Sequence, residues 1–480
     1  MKKISILLLT LFLVFSCTKD LENLNQDTKN ATVAAGETFF TGAQKNMVDR
    51  MASINVNTNV WRQFVQQITS TTYNDESNYD IANRRVPDGL WATVYRDVLK
   101  DLDESAKVIA ATPPVGTAGA TMQENQLAII EVMNVYSYSV LVETFGDVPY
   151  TEALDFTNVL PKYDDGKTVY LDLIARLSAA ISNMDASGES FGDADLIYGG
   201  DVASWKKFAN SLKMRMGLVI IDADPAAGTA AVTQGAAGAF TSNADNAILT
   251  YLNSTPNTNP MWVDLVQSKR LDFIVAKPFV DQMNALNDPR RAVFFDDNIA
   301  TGYVGAVYGL NSSYANFSHI GDMFYVSTLP HVLLDYSNVE FMLAEAAERS
   351  IVGAPAAAAG HYNAAITASF DYYGVSGASA YLLQPSVAYA TATGTWKQKI
   401  GTQKWISLYN QGFNAWTEFR RLDFPALVAP PTASANADGV VPRRFTYPIG
   451  EQTLNPASYT AAASAIGGDK LATKLFWDKF

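Results

Sequence analysis

Cysteine is nearly missing from this chain. Cys17 stands alone, so no intramolecular disulfide can form. Histidine is almost as scarce. His319, His331 and His361 are dispersed, without the spacing of a metal centre. The H-E-x-x-H and P-loop motifs are absent. Convincing strand alternation is rare. Basic residues are in deficit, 35 against 48 acidic ones, for a formal net charge of −13. Such a surface argues against nucleic acid or direct docking on anionic lipid. Charged residues make up only 17% against 48% hydrophobic, which is a globular and not a disordered composition. A chain of 480 residues exceeds one compact core, so two lobes or a repeat array are expected.

What is present begins at the N-terminus. Lys2 and Lys3 precede an apolar run, Ile4 to Phe15, of signal-peptide length and too short to span a bilayer. The run ends in Val14-Phe15-Ser16-Cys17, which resembles a bacterial lipobox. In such signals the cysteine is lipidated and becomes the mature N-terminus. Residues 1–16 then read as a lipoprotein signal peptide, 17–36 as a lipidated linker and 37–480 as the folded domain. One acyl chain holds a protein only marginally, and a diacylglyceryl cysteine supplies more than one.

Helical periodicity dominates the rest. Trp91, Val94, Val98, Leu102 and Ile109 share one face, with Asp88 as N-cap, and Pro113-Pro114 end that helix. Thr121-x-x-Glu124 reads as a capping box opening a helix towards Phe145. Trp205, Phe208, Leu212, Met216 and Val219 mark another, with Lys206, Lys207, Lys213 and Arg215 off the stripe. Ser337-x-x-Glu340 opens a further helix, with an Ala-rich partner around residues 361–373. Trp405, Tyr409, Gly412, Trp416 and Phe419 outline a late helix or helix pair. Paired helices joined by turns point to tetratricopeptide-type hairpins, so the fold class is mainly α, an α-α superhelix packed against an irregular, loop-rich lobe. Residues 223–260 and 296–330, rich in Gly, Asn, Ser and Tyr, read as the irregular segments.

Those loops are also the candidate binding surface. Tyr and Trp offer a broad apolar ring with one polar tip, suited to sugar rings and peptide side chains alike. Asn and Arg beside them can fix hydroxyls or carbonyls. The mixture occurs at Tyr73, Asn74 and Tyr79, followed by Arg84 and Arg85. It recurs at Tyr308, Asn311 and Tyr314, joined by Trp262 after an Asn/Pro run. Trp91 and Trp205, on helical faces, read as core. Asp164-Asp165 and Asp296-Asp297 could be imagined as paired glycosidase carboxylates, but neighbours on a chain seldom flank one substrate. A calcium site at Asp296, Asp297 and Asn298 lacks the EF-hand spacing.

Several stretches, in order, resemble the SusD/RagB family of Bacteroidetes outer-membrane lipoproteins. They are Phe145-Gly-Asp-Val-Pro149; Ala209, Asn210, Leu212 and Arg215; Asp288-Pro289-Arg290; and Glu340 through Ala346. The closing run is Lys404-Trp405, Glu418-Phe419-Arg420-Arg421 and Arg443-Arg444-Phe445 to Pro448. The resemblance implies four tetratricopeptide pairs, motifs that build scaffold and do not touch ligand, and no cofactor. It implies a surface lipoprotein, anchored in the outer membrane through Cys17, that captures oligosaccharide or peptide for a SusC-like TonB-dependent transporter. In relatives the first inter-helix loop, here 72–85, often reaches the ligand. A surface-anchored hydrolase and a structural or adhesive protein are the alternative readings.

Overall fold

A computed structural model describes residues 34–480. The signal, the lipobox and Cys17 lie outside the described residues. The elements are α-helices with four short strands among the described residues. After helix α1 (Gly36–Ala52), helix α2 (Val86–Ala92) continues through a π turn, Thr93–Leu99, into α3 (Lys100–Ala111), and α1 pairs with α3 and the π turn. Gly36 faces Ser105 and Ile109, while Arg50 donates to Val86 O, so the pair is antiparallel. Next come α4 (Gly116–Phe145) with α5 (Gly166–Asn183), and α6 (Val202–Ile220) with α7 (Pro225–Ala236). Then α8 (Tyr336–Glu348) packs with α9 (Ala358–Tyr372), and α10 (Trp396–Ser407) with α11 (Gly412–Leu422). Short strands β1 (Ile68–Ser70), β2 (Ala247–Leu249), β3 (Phe273–Val275) and β4 (His331–Leu334) form two antiparallel ladders, β1 with β3 and β2 with β4.

The apolar stripes are where the helices bury. Val94, Val98, Leu102, Trp205, Phe208 and Leu212 have 1% exposure or less. Helix α4 is long and apolar enough to cross a membrane, but its apolar window is 83% buried within this fold. Its hydropathy is that of a central core helix.

Several local expectations are corrected. Asp88 is not an N-cap; α2 starts at Val86, and the Asp88 carboxylate takes Arg85 and the amides of Ile449 and Gly450. Thr121 lies inside α4, which starts at Gly116. Asp335, not Ser337, caps α8, and the Ser337 hydroxyl instead reaches Ala365 O and Ser407 Oγ. Residues 225–236, placed in an irregular segment, form α7, capped by Asp224. Alanine and glycine there give no apolar stripe to read. Trp205 is core, whereas Trp91 is only half-buried.

Lys213 and Arg215 are buried, although a helical stripe assigns charges to solvent. Arg215 forks onto Glu143 of α4 at 2.9 and 2.5 Å. Tyr170 and Thr417 also donate to that carboxylate. Arg421 forks onto Glu345 at 2.5 and 2.6 Å and reaches Glu418, which also takes Lys404 at 3.0 Å. Arg290 binds Asp288 and Gln403, and Arg444 binds Phe145 O. Buried charges survive only when paired and hydrogen-bonded. The charged positions of the family-like motifs therefore tie helix to helix.

Candidate ligand site

Strand β1 pairs residue for residue with β3, from Ile68↔Val275 to Ser70↔Phe273. Beyond Ser70 the chain turns into the loop that carries Tyr73 to Arg85. Ser312 N donates to Thr71 O (2.9 Å), and Asn78 Nδ2 donates to Gly309 O (2.9 Å). The side-chain amides of Asn74 and Asn311 meet at 2.6 Å. Gly309 sits at φ +78°, and a Cβ there would run into Pro430 and Asn78 Oδ1, so only glycine lets the segments approach this closely. The structure thus joins two of the stretches singled out in the sequence.

Their side chains have different jobs. Tyr73 is exposed, and the Arg84 guanidinium lies 5.5 Å over its ring. Arg84 is held from beneath by Glu76, which is fully buried, and from the side by Asp75 at 3.3 Å. Burial pushes the Glu76 carboxyl up to about 7, against the pull of Arg84. Asn74 is half-buried and Asn311 exposed. Tyr73, Asn74, Arg84 and Asn311 make one open platform.

Tyr79 and Tyr308 do not belong to it. Tyr79 has no exposure, and its ring meets Phe64 edge-on at 5.6 Å and Tyr308 at 6.2 Å. Tyr308 is 6% exposed, and its hydroxyl donates to Gln63 O at 2.7 Å. These rings plug the space under the platform, a larger apolar gain than their hydroxyls can offset. Burial pushes the Tyr79 hydroxyl up to about 12. Arg85 turns to Asp88. Tyr314 is half-buried and stacks on His319 at 3.8 Å, its hydroxyl 3.3 Å from that of Tyr325. Trp262, also half-buried, lies on a short helix, Pro260–Trp262, packed on the turn Asp322–Tyr325. Sequence reading missed Glu76, which fixes Arg84; no pattern marks a loop glutamate as buried. It also missed a cleft of about 360 Å³ against Tyr308, lined by Gln66, Lys277, Val307, Leu427 and Pro430.

Residues that could suggest catalysis do structural work. Gly188-Glu189-Ser190-Phe191-Gly192 has the G-x-S-x-G spacing of a nucleophile elbow. Ser190 is buried, its hydroxyl donates to Gly200 O at 2.7 Å, and no histidine is among its hydrogen-bond partners. Asp165 caps α5, and Asp164 accepts the amides of Tyr150 and Thr151. Asp296 faces His319 at 3.4 Å, and Asn298 donates to Phe317 O.

Paired helices carrying a loop-built face define a helical-repeat protein of the tetratricopeptide type. The chain belongs to the SusD-like family, described as starch-binding and associating with the outer membrane, whose profile matches residues 26–448. A chitin-binding protein of known structure is 27% identical, with a TM-score of 0.77 over 93% of this chain and 100% of that one. A SusD homologue from Bacteroides uniformis, 24% identical, superposes with a TM-score of 0.78 over 92% and 99% of the two chains. A chitin-binding SusD homologue from Flavobacterium johnsoniae, 23% identical, gives 0.75 over 92% and 97%. The last two likenesses show the fold. A comparison with curated protein sequences gives no match.

Proposed function

We propose that this protein is a non-catalytic, lipid-anchored protein of the outer-membrane surface. It captures an oligosaccharide on the Tyr73–Asn74–Arg84–Asn311 platform and delivers it to a SusC-like TonB-dependent transporter. The observation that carries the reading is the platform itself. An exposed phenol with a guanidinium fixed over it stands beside two amides brought from segments 237 residues apart. A sugar ring stacks on such a phenol, and amides accept and donate to its hydroxyls. The chitin-binding relative and the starch-binding description of the family support a glycan as the ligand class.

Isothermal titration with chitohexaose and maltohexaose tests this directly. Binding of either, weakened at least tenfold in Tyr73→Ala/Arg84→Ala, is the expected result. Undiminished binding by that variant would remove the platform from the site. Mild-detergent pull-down from the native host should bring down a TonB-dependent transporter through an interface on the order of 2,000 Å² or more. Recovery of the protein alone would argue against the delivery step.

A further inference from the structure

A second concavity, lined by none of the platform residues, lies between the α2–α3 helix and the chain around residues 451–455. The irregular segment 150–161, between the Gly-Asp-Val-Pro turn and α5, divides it into two adjoining cavities. The first, about 430 Å³, is lined by Trp91, Tyr95, Leu154, Phe156, Val159 and Leu454. The second, about 840 Å³, is lined by Asn134, Tyr138, Tyr150, Asp172 and Arg176. Lys100, Leu154 and Phe156 line both. These volumes are those of small-ligand clefts.

The aromatic walls are held in place. Trp91 sits 4.9 Å from Tyr95 and 5.1 Å from Phe145, and the Tyr95 hydroxyl donates to Pro149 O at 2.6 Å. Tyr150 meets Tyr138 edge-on at 4.9 Å, and Arg176 bonds its hydroxyl. Phe156, by contrast, is 78% exposed, with the Lys100 ammonium 4.7 Å over its ring. Such a ring in solvent gains by covering another flat apolar surface.

The polar groups divide into used and unused ones. Lys100 is paired with Asp103 and Glu104, and Arg176 with Glu131. The Asn134 amide and the Tyr138 hydroxyl have no hydrogen-bond partner among the described residues, and Tyr138 is 5% exposed. The cleft is open to solvent, so a ligand hydroxyl there would take the place of water on the Tyr138 phenol and the Asn134 amide. Each cation of the lining, Arg96, Lys100, Lys107 and Arg176, is already ion-paired, so the cleft offers no free positive charge to an anionic ligand and suits an uncharged one. A purely apolar partner would cover Phe156 and Val159 but leave the amide and phenol unsatisfied.

We infer that the paired cavity is a second carbohydrate-binding cleft for a neutral oligosaccharide. One ring lies between Trp91 and Phe156, and a neighbouring ring gives hydroxyls to Asn134 and Tyr138. This rests on the glycan reading above and adds a site that shares no lining residue with the platform. The cleft holds the chain at a second point while the loop platform engages its other end. Two weak contacts on one polymer then act as a stronger one.

The test is ¹⁹F NMR on the full mature protein labelled with 5-fluorotryptophan, titrated with chitohexaose and maltohexaose. The Trp91 resonance is assigned by its loss in Trp91→Phe. It should shift saturably in the parent protein and also in Tyr73→Ala/Arg84→Ala. In Phe156→Ala/Asn134→Ala the shift should disappear or need at least tenfold more sugar, while the far-ultraviolet dichroism and melting curve stay those of the parent. Sugar binding that leaves the Trp91 resonance unmoved overturns the second cleft and leaves the glycan reading standing. No response to either sugar by NMR or calorimetry overturns both. Phe156→Ala/Asn134→Ala that binds sugar normally but no longer co-purifies with the transporter would make the cleft a protein-docking face, and the inference falls.

Discussion

Glu143 and Arg215 face each other as a closed fork between α4 and α6, at 2.9 and 2.5 Å, with 0% and 2% of their side chains exposed. The fork alone would not offset the desolvation of two ions. Tyr170 and Thr417 add donors to the same carboxylate, and Arg420 donates to the Glu143 carbonyl at 2.6 Å. One glutamate thereby collects α4, α5, α6 and α11.

Arg215→Met should lower the unfolding free energy by about 3–5 kcal/mol, because it leaves a buried carboxylate without its cation. Urea unfolding followed by circular dichroism measures this. A loss below about 1 kcal/mol would mean that water or Arg420 replaces the lost partner.

Tyr73→Ala and Arg84→Ala should each weaken oligosaccharide binding by roughly tenfold, about 1.4 kcal/mol. Their stability should change by no more than about 0.5 kcal/mol, as for surface positions. Tyr308→Ala should behave oppositely, like Trp205→Ala, costing about 3–5 kcal/mol of stability. Calorimetric binding and thermal melts on the same variants separate the two classes. Tyr73→Ala that melts early yet binds normally would reverse the assignment.

Glu76 gives the protein a pH-dependent term of definite sign. Its carboxyl is raised from an ordinary 4.5 to about 7 in the folded state. Between those values the native state binds more protons than the unfolded one, so the Glu76 contribution to stability falls as pH rises from 4.5 through 7 and is flat above. Glu76→Gln should remove that decline. Chemical denaturation at pH 5 and pH 8 for both proteins checks it, and identical pH slopes would show that Glu76 is ionised throughout.

Cys17→Ala should move the protein from the membrane fraction to the soluble one without changing its melting behaviour. Sedimentation followed by carbonate extraction is the measurement. A variant that remains with the membranes would exclude a lipid on Cys17 as the anchor.

The helices were legible wherever burial follows a 3.6-residue stripe, as from Trp205 to Val219. Where burial is achieved by pairing, the sequence misleads: Lys213 and Arg215 look like a solvated face until Glu143 and Gln234 are seen opposite them. Capping was misread because two candidates stood side by side. Asp335 and Ser337 can both cap, and backbone geometry chose the aspartate. In the loops, composition identified which segments meet but not which rings point inward. Tyr79 and Tyr73 are chemically alike and six residues apart. Tyr79 turns inward at φ +65°, a left-handed geometry that no local pattern announces for tyrosine.

The contact between Asn74 and Asn311 spans 237 residues of chain. Helix pairs form from near neighbours, but closing so long a segment has a larger entropic cost and comes late. The proposed platform therefore matures later than the local helix pairs, together with other long closures such as that of Thr417 on Glu143. In refolding followed by pulsed hydrogen exchange, the amides of α4 and α6 should gain protection before that of Ser312. A chain halted or clipped ahead of residue 311 would have no assembled platform, so sugar capture at the proposed site would also report that these two distant segments have been brought together.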